Sequence, residues 1–73
     1  MADVVLDCKG LACPLPIAKA HQAVRDMKPG QTLEVIADCS TFSTDIKEWC
    51  GKTNHPLISI NTVGKETKAV IRI

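Results

Sequence analysis

Tyrosine is absent from this chain of 73 residues, and Phe42 and Trp49 are each the sole residue of their type. Its core must therefore be built from Val, Ile, Leu and Ala. No stretch approaches the ~20 consecutive apolar residues that a membrane span needs. The formal net charge of +1 leaves no strong global field for nucleic acid or a membrane surface. The opening Met1-Ala2-Asp3-Val4 has neither the basic region nor the apolar run of a signal peptide. A cytoplasmic protein that is not membrane-embedded is the expectation. The four cysteines, Cys8, Cys13, Cys39 and Cys50, contain no C-x-x-C pair. Structural zinc is not expected from such spacing, nor any other metal or cofactor. Cytosolic thiols are kept reduced, so the set reads as one reactive thiol and up to three packing or auxiliary ones. Repeats, linkers and low-complexity segments are missing, which leaves a single small domain over residues 1–73.

What is present is a clear alternation of patterns. Val4-Val5-Leu6 suits a first strand, followed by a loop at Asp7-Cys8-Lys9-Gly10. From Pro14 to about Lys28, Ile17, Ala20, Val24 and Met27 recur at helical spacing, with Lys19, Gln22, Arg25 and Asp26 largely off that stripe. Pro29-Gly30 stops the helix. Thr32 to Ala37 alternates, with Leu33, Val35 and Ala37 on one side. After a turn at Asp38-Cys39-Ser40, a second helix from about Thr41 to Thr53 carries Phe42, Ile46, Trp49 and Cys50 on its apolar face. Asn54-His55-Pro56 breaks it. Leu57 to Val63 and Thr67 to Ile73 read as two strands joined by the tight turn Val63-Gly64-Lys65-Glu66. The order β-α-β-α-β-β predicts a two-layer α/β sandwich, with two helices on one face of a four-stranded mixed sheet. The first strand–helix–strand unit should be a right-handed parallel crossover. Loops leaving the carboxyl ends of such strands are where open α/β sheets place their ligands.

One of those loops holds the run Gly10-Leu11-Ala12-Cys13-Pro14-Leu15-Pro16. Proline at the first helical position loses nothing by lacking an N–H, so Pro14 is expected there, with Cys13 as the N-cap. Cysteine is not a favoured N-cap, whereas Ser, Thr, Asp and Asn are. A sulfur in that place should face unpaired backbone N–H groups and the positive end of the helix dipole. Both favour the nucleophilic thiolate. Pro14 and Pro16 stiffen the junction, and Gly10 allows a backbone turn or the close approach of a partner.

These residues resemble a known family. Gly10-x-x-Cys13-Pro14-x-Pro16 in so short a chain is similar to the TusA-like (SirA/YedF/YeeD) sulfur-carrier family. The likeness continues through Leu6-Asp7, Met27-Lys28-Pro29-Gly30, Val35-Ile36-Ala37-Asp38, Asp45-Ile46, Trp49-Cys50, His55 and Ile71-Arg72. It implies a protein that holds sulfane sulfur as a persulfide on Cys13, a sulfurtransferase-type carrier rather than a self-sufficient enzyme. It also implies a donor, which is a cysteine desulfurase, a rhodanese or a thiosulfate-handling protein or transporter. An acceptor relay protein would then serve tRNA thiolation, cofactor synthesis, thiosulfate use or sulfur oxidation. Asp38-Cys39-Ser40 departs from the acidic pair and proline of the tRNA-thiolation members, and Cys8 is not a family requirement.

On that reading, Cys8 and Cys39 are candidate auxiliary or resolving thiols in loops at the same end as Cys13. Lys9 and Lys19 are candidates to steer an acidic partner or an anionic sulfur donor, and Leu11 to dock a partner protein. Two other readings stand beside it. A small nucleic-acid-binding α/β module is opposed by the near-neutral charge and the scarcity of aromatics, so no direct nucleic-acid partner is expected. A thiol-redox or metal-handling protein is the other.

Overall fold

A computed structural model describes residues 2–73; Met1, the first residue of the segment read above for a leader, lies outside the described residues. Six elements follow one another: β1 (Val4–Asp7), α1 (Leu15–Arg25), β2 (Thr32–Ala37), α2 (Phe42–Thr53), β3 (Leu57–Val63) and β4 (Glu66–Arg72). The four strands form one sheet in the order β1-β2-β4-β3. β1 runs parallel to β2, with Val4 opposite Leu33 and Asp7 opposite Ile36. β2 and β3 each pair antiparallel with β4. The expected mixed sheet is thus present, with both helices packed on one face.

The alternation in β2 does what its pattern predicts. Leu33, Val35 and Ala37 are fully buried, and Ala69 and Ile71 of β4 lie beside them. Phe42, Ile46, Trp49 and Cys50 close the core from α2, and Ala20 from α1. Ile17, Val24 and Met27 pack partly against this cluster, as their spacing requires. The other sheet face is mixed and wetter: the cross-strand row Val5, Glu34, Val70 and Ser59 is its centre. β3 carries a register shift between Leu57 and Ser59, which leaves Ile58 exposed.

Helix α1 is shorter than its sequence pattern at both ends. It stops at Arg25 rather than near Lys28, because the N–H groups of Asp26 and Met27 turn back to the carbonyls of Ala23 and Val24 at 3.1 Å each. These i→i−3 bonds tighten the last turn and end the α pattern. Met27 remains on the core side of the following loop. Among the described residues, no helix is long and apolar enough to cross a membrane.

Candidate functional site

The parallel pairing of β1 with β2 brings the two following loops together at the carboxyl ends of these strands. Two bonds lock them. The N–H of Cys8 donates to the carbonyl of Ile36 at 2.7 Å, extending the ladder past β1. The N–H of Gly10 then donates to both carboxylate oxygens of Asp38, at 3.1 and 3.2 Å. Gly10 has φ +84°, a region that L side chains rarely adopt, so the expected backbone turn at Gly10 is present. The loop then runs through Leu11 and Ala12 to Cys13.

Cys13 is half-buried and forms a disulfide with Cys39, the residue after Asp38. Their Cα atoms are 5.9 Å apart, within the ordinary range for a disulfide. The bond departs from the expectation of reduced cytosolic thiols, and it falls on Cys39, one of the two candidate resolving thiols. Residue spacing alone does not name this pair, but the parallel pairing of β1 with β2 puts both loops at one end of the sheet, as expected from the sequence.

Cys13 does not occupy the N-cap. The peptide bond from Cys13 to Pro14 is cis, and the N–H of Leu15 donates to the carbonyl of Ala12 at 2.9 Å, closing a turn before the helix. Pro14 is the N-cap and Leu15 the first helical residue. The unpaired donors expected around the sulfur are also absent. Pro16 has no N–H, the N–H of Leu15 is taken by Ala12, and those of Ile17 and Ala18 both go to the carbonyl of Pro14 at 3.0 and 3.2 Å. The first turn of α1 holds no acidic residue, so its dipole is not opposed by a local carboxylate.

The remaining candidates separate into two groups. Cys8 is 2% exposed and belongs to the core rather than to an exposed loop. It follows the last residue of a strand, and the alternation simply continues through it toward the helices. Burial pushes its thiol pKa up, Asp7 adds to this, and Lys19 offsets part of it. Lys19 therefore acts on Cys8, although its own side chain is on the exposed side of α1. Cys50 is also buried, and burial raises its pKa. Lys9 lies 3.9 Å from the Asp7 carboxylate and 3.7 Å from that of Glu66, so its charge is shared with two exposed acids. Leu11, the candidate docking residue, is half-buried and packs partly against the core. Pro16 is fully buried, which makes it a packing residue as well as a stiffener.

Sequence reasoning missed three participants. Asp38 was readable only as a turn residue, because its partner lies 28 positions away. Leu15, inside the motif itself, is 49% exposed and is the large apolar side chain offered to solvent beside Cys13 and Pro14. A shallow groove of about 200 Å³ also opens next to Pro14, lined by Ile17 of α1 and by Asp45, Glu48, Trp49 and Lys52 of α2. It is smaller than the ~300–1,000 Å³ typical of small-molecule sites.

Comparison with known proteins decides the family. The family model described as "Sulfurtransferase TusA" matches residues 4–73. The chain belongs to the TusA family. A relative from Bacillus subtilis (strain 168), named "Putative sulfur carrier protein YrkF", is 35% identical over 71 residues, which is 97% of this chain. The chain spans only 38% of that relative's length. A crystal structure of a SirA-like protein from Desulfitobacterium hafniense superposes with a TM-score of 0.81 at 15% identity, covering 94% of this chain and 95% of that one. That likeness shows the TusA-family fold to be shared with the SirA-like protein.

Proposed function

We propose that this TusA-family chain is a sulfur carrier that holds sulfane sulfur as a persulfide on Cys13. In its reduced form the Cys13 thiolate attacks the outer sulfur of a donor persulfide. A new S–S bond forms on Cys13, the donor's S–S bond breaks, and the donor leaves as a thiolate. An acceptor thiolate later attacks the same outer sulfur and releases the Cys13 thiolate. No net oxidation occurs in either step.

The reading rests on one contrast. Cys8 and Cys50 are buried with raised pKa values, whereas Cys13 reaches solvent at the carboxyl end of β1, inside the family motif. The shallow surface around it offers little to select a small substrate, so selectivity falls to docked proteins: a donor (cysteine desulfurase, rhodanese or thiosulfate-handling protein or transporter) and a relay acceptor. Leu15 and Pro14 are the natural contacts of such a partner. In this reading the chain works in the cytoplasm, as one domain, without a metal or cofactor.

Cyanolysis tests it. The Cys39→Ser protein, which leaves Cys13 unpaired, is reduced, exposed to a small persulfide donor, gel-filtered and treated with cold cyanide. The expected result is one equivalent of thiocyanate, and none when Cys13 is also replaced by Ser. Equal thiocyanate from both proteins would exclude Cys13 as the carrier.

A further inference from the structure

Cys39 has no part in simple carriage, yet it is the one thiol that the fold places within bonding distance of Cys13. The placement is built in by the framework. Four parallel ladder pairs align β1 with β2. The bond from Cys8 to Ile36 and the clamp of Gly10 on Asp38 carry that alignment into the two loops. Asp38 adjoins Cys39, and Gly10 lies three residues before Cys13. Closing the disulfide therefore joins two loops that hydrogen bonds already hold together. Cys39, like Cys13, is half-buried rather than sealed in the core.

We infer that Cys39 is a resolving thiol, and that the pair gives this chain a second activity: reductive release of the carried sulfur as sulfide. The inference rests on the persulfide reading of Cys13. The Cys39 thiolate attacks the inner sulfur, Sγ of Cys13. The Cys13–Cys39 S–S bond forms, the bond from Cys13 to the outer sulfur breaks, and that sulfur leaves as hydrosulfide. The persulfide and the thiol together lose one molecule of hydrogen sulfide. The sulfane sulfur gains two electrons and the cysteine pair supplies them, so no other reductant enters this step. The product is the disulfide seen in the structure. An external dithiol restores both thiols by ordinary exchange and is itself oxidised to a disulfide. A protein with this pair can thus pass sulfur on when an acceptor is docked, or discharge it as sulfide when none is.

The experiment compares reduced wild type with Cys39→Ser, each freed of reductant and given one equivalent of glutathione persulfide. Sulfide is trapped with monobromobimane, and intact masses are recorded over time. The expected outcome is that Cys39→Ser gains one sulfur atom and keeps it. Wild type should release about one equivalent of sulfide and end as the disulfide, with Cys13 and Cys39 peptides joined on non-reducing mapping. Release should be about a hundredfold faster than from the variant, since the attacking thiol is held in place. If wild type retains the added sulfur as long as Cys39→Ser does, the resolving role is wrong and carriage stands. If Cys39→Ser gains no sulfur at all, the inference falls together with the carrier reading.

Discussion

The backbone N–H of Gly10 donates to both carboxylate oxygens of Asp38, at 3.1 and 3.2 Å, across 28 positions of sequence. This is a side-chain clamp between the Cys13 loop and the Cys39 loop. Its loss should loosen the approach of the two sulfurs more than it disturbs the core.

Asp38→Ala should accordingly lower stability by about 1 kcal/mol, the net value of one hydrogen bond near the surface. It should also shift the thiol–disulfide equilibrium with glutathione toward the reduced pair. Urea unfolding of the reduced proteins measures the first effect, and alkylation of the quenched redox mixture the second. An unchanged equilibrium would mean that the β1–β2 ladder alone sets the spacing.

Gly10 and Gly51 make a contrasting pair. A Cβ on either would meet nothing within 4 Å, so packing plays no part. Gly10 has φ +84°, and Gly10→Ala should cost about 1–2 kcal/mol through the backbone alone. Gly51 lies within α2, and Gly51→Ala should gain about 0.5–1 kcal/mol from helix propensity. Opposite signs in the thermal midpoints are the expected readout.

The buried thiols predict a dependence on alkaline pH. The folded state raises the pKa of both Cys8 and Cys50 above the ordinary 9.0, chiefly by burial. The folded chain then holds protons that the unfolded chain gives up. Stability from this source is full below about pH 9 and declines as pH rises beyond it. Unfolding of the Cys8→Ala/Cys50→Ala protein should lose part of that alkaline decline. In the reduced wild type at neutral pH, iodoacetamide should modify Cys13 and Cys39 promptly, and Cys8 and Cys50 only on unfolding.

Leu11 and Leu15 flank Cys13 with opposite burial. Leu11 packs partly against the core and Leu15 is half-exposed. Leu11→Ala should cost about 1–2 kcal/mol, whereas Leu15→Ala should stay within about 0.5 kcal/mol. Chemical denaturation of both variants checks this, and similar costs at the two positions would contradict the placement of Leu15.

The local periodicities were a faithful guide to the elements. Leu33, Val35 and Ala37 alternate in a strand whose ends, Thr32 and Ala37, match the pattern, and Phe42, Ile46, Trp49 and Cys50 form the buried stripe of α2 as their spacing demands. Asn54 ends α2 in the left-handed conformation, as the break at Asn54-His55-Pro56 suggested. What local pattern could not convey was long-range pairing. The insertion of β4 between β2 and β3, the Asp38 clamp and the Cys13–Cys39 bond all join residues far apart in sequence. Cys8 misled because its loop-like neighbours, Asp7, Lys9 and Gly10, hide an inward step of the strand alternation. The N-cap assignment of Cys13 failed by one residue, since Ala12 to Leu15 close a turn of their own before α1 begins.

The central claim is that Cys13 carries the sulfur. Intact mass spectrometry of reduced Cys39→Ser and Cys13→Ser/Cys39→Ser proteins, after the same exposure to a small persulfide donor, tests it most directly. The account predicts the mass of one added sulfur atom on Cys39→Ser, removable by a thiol reductant, and an unchanged mass for the double variant. Equal sulfur on both would place the carrier at Cys8 or Cys50 and contradict the account.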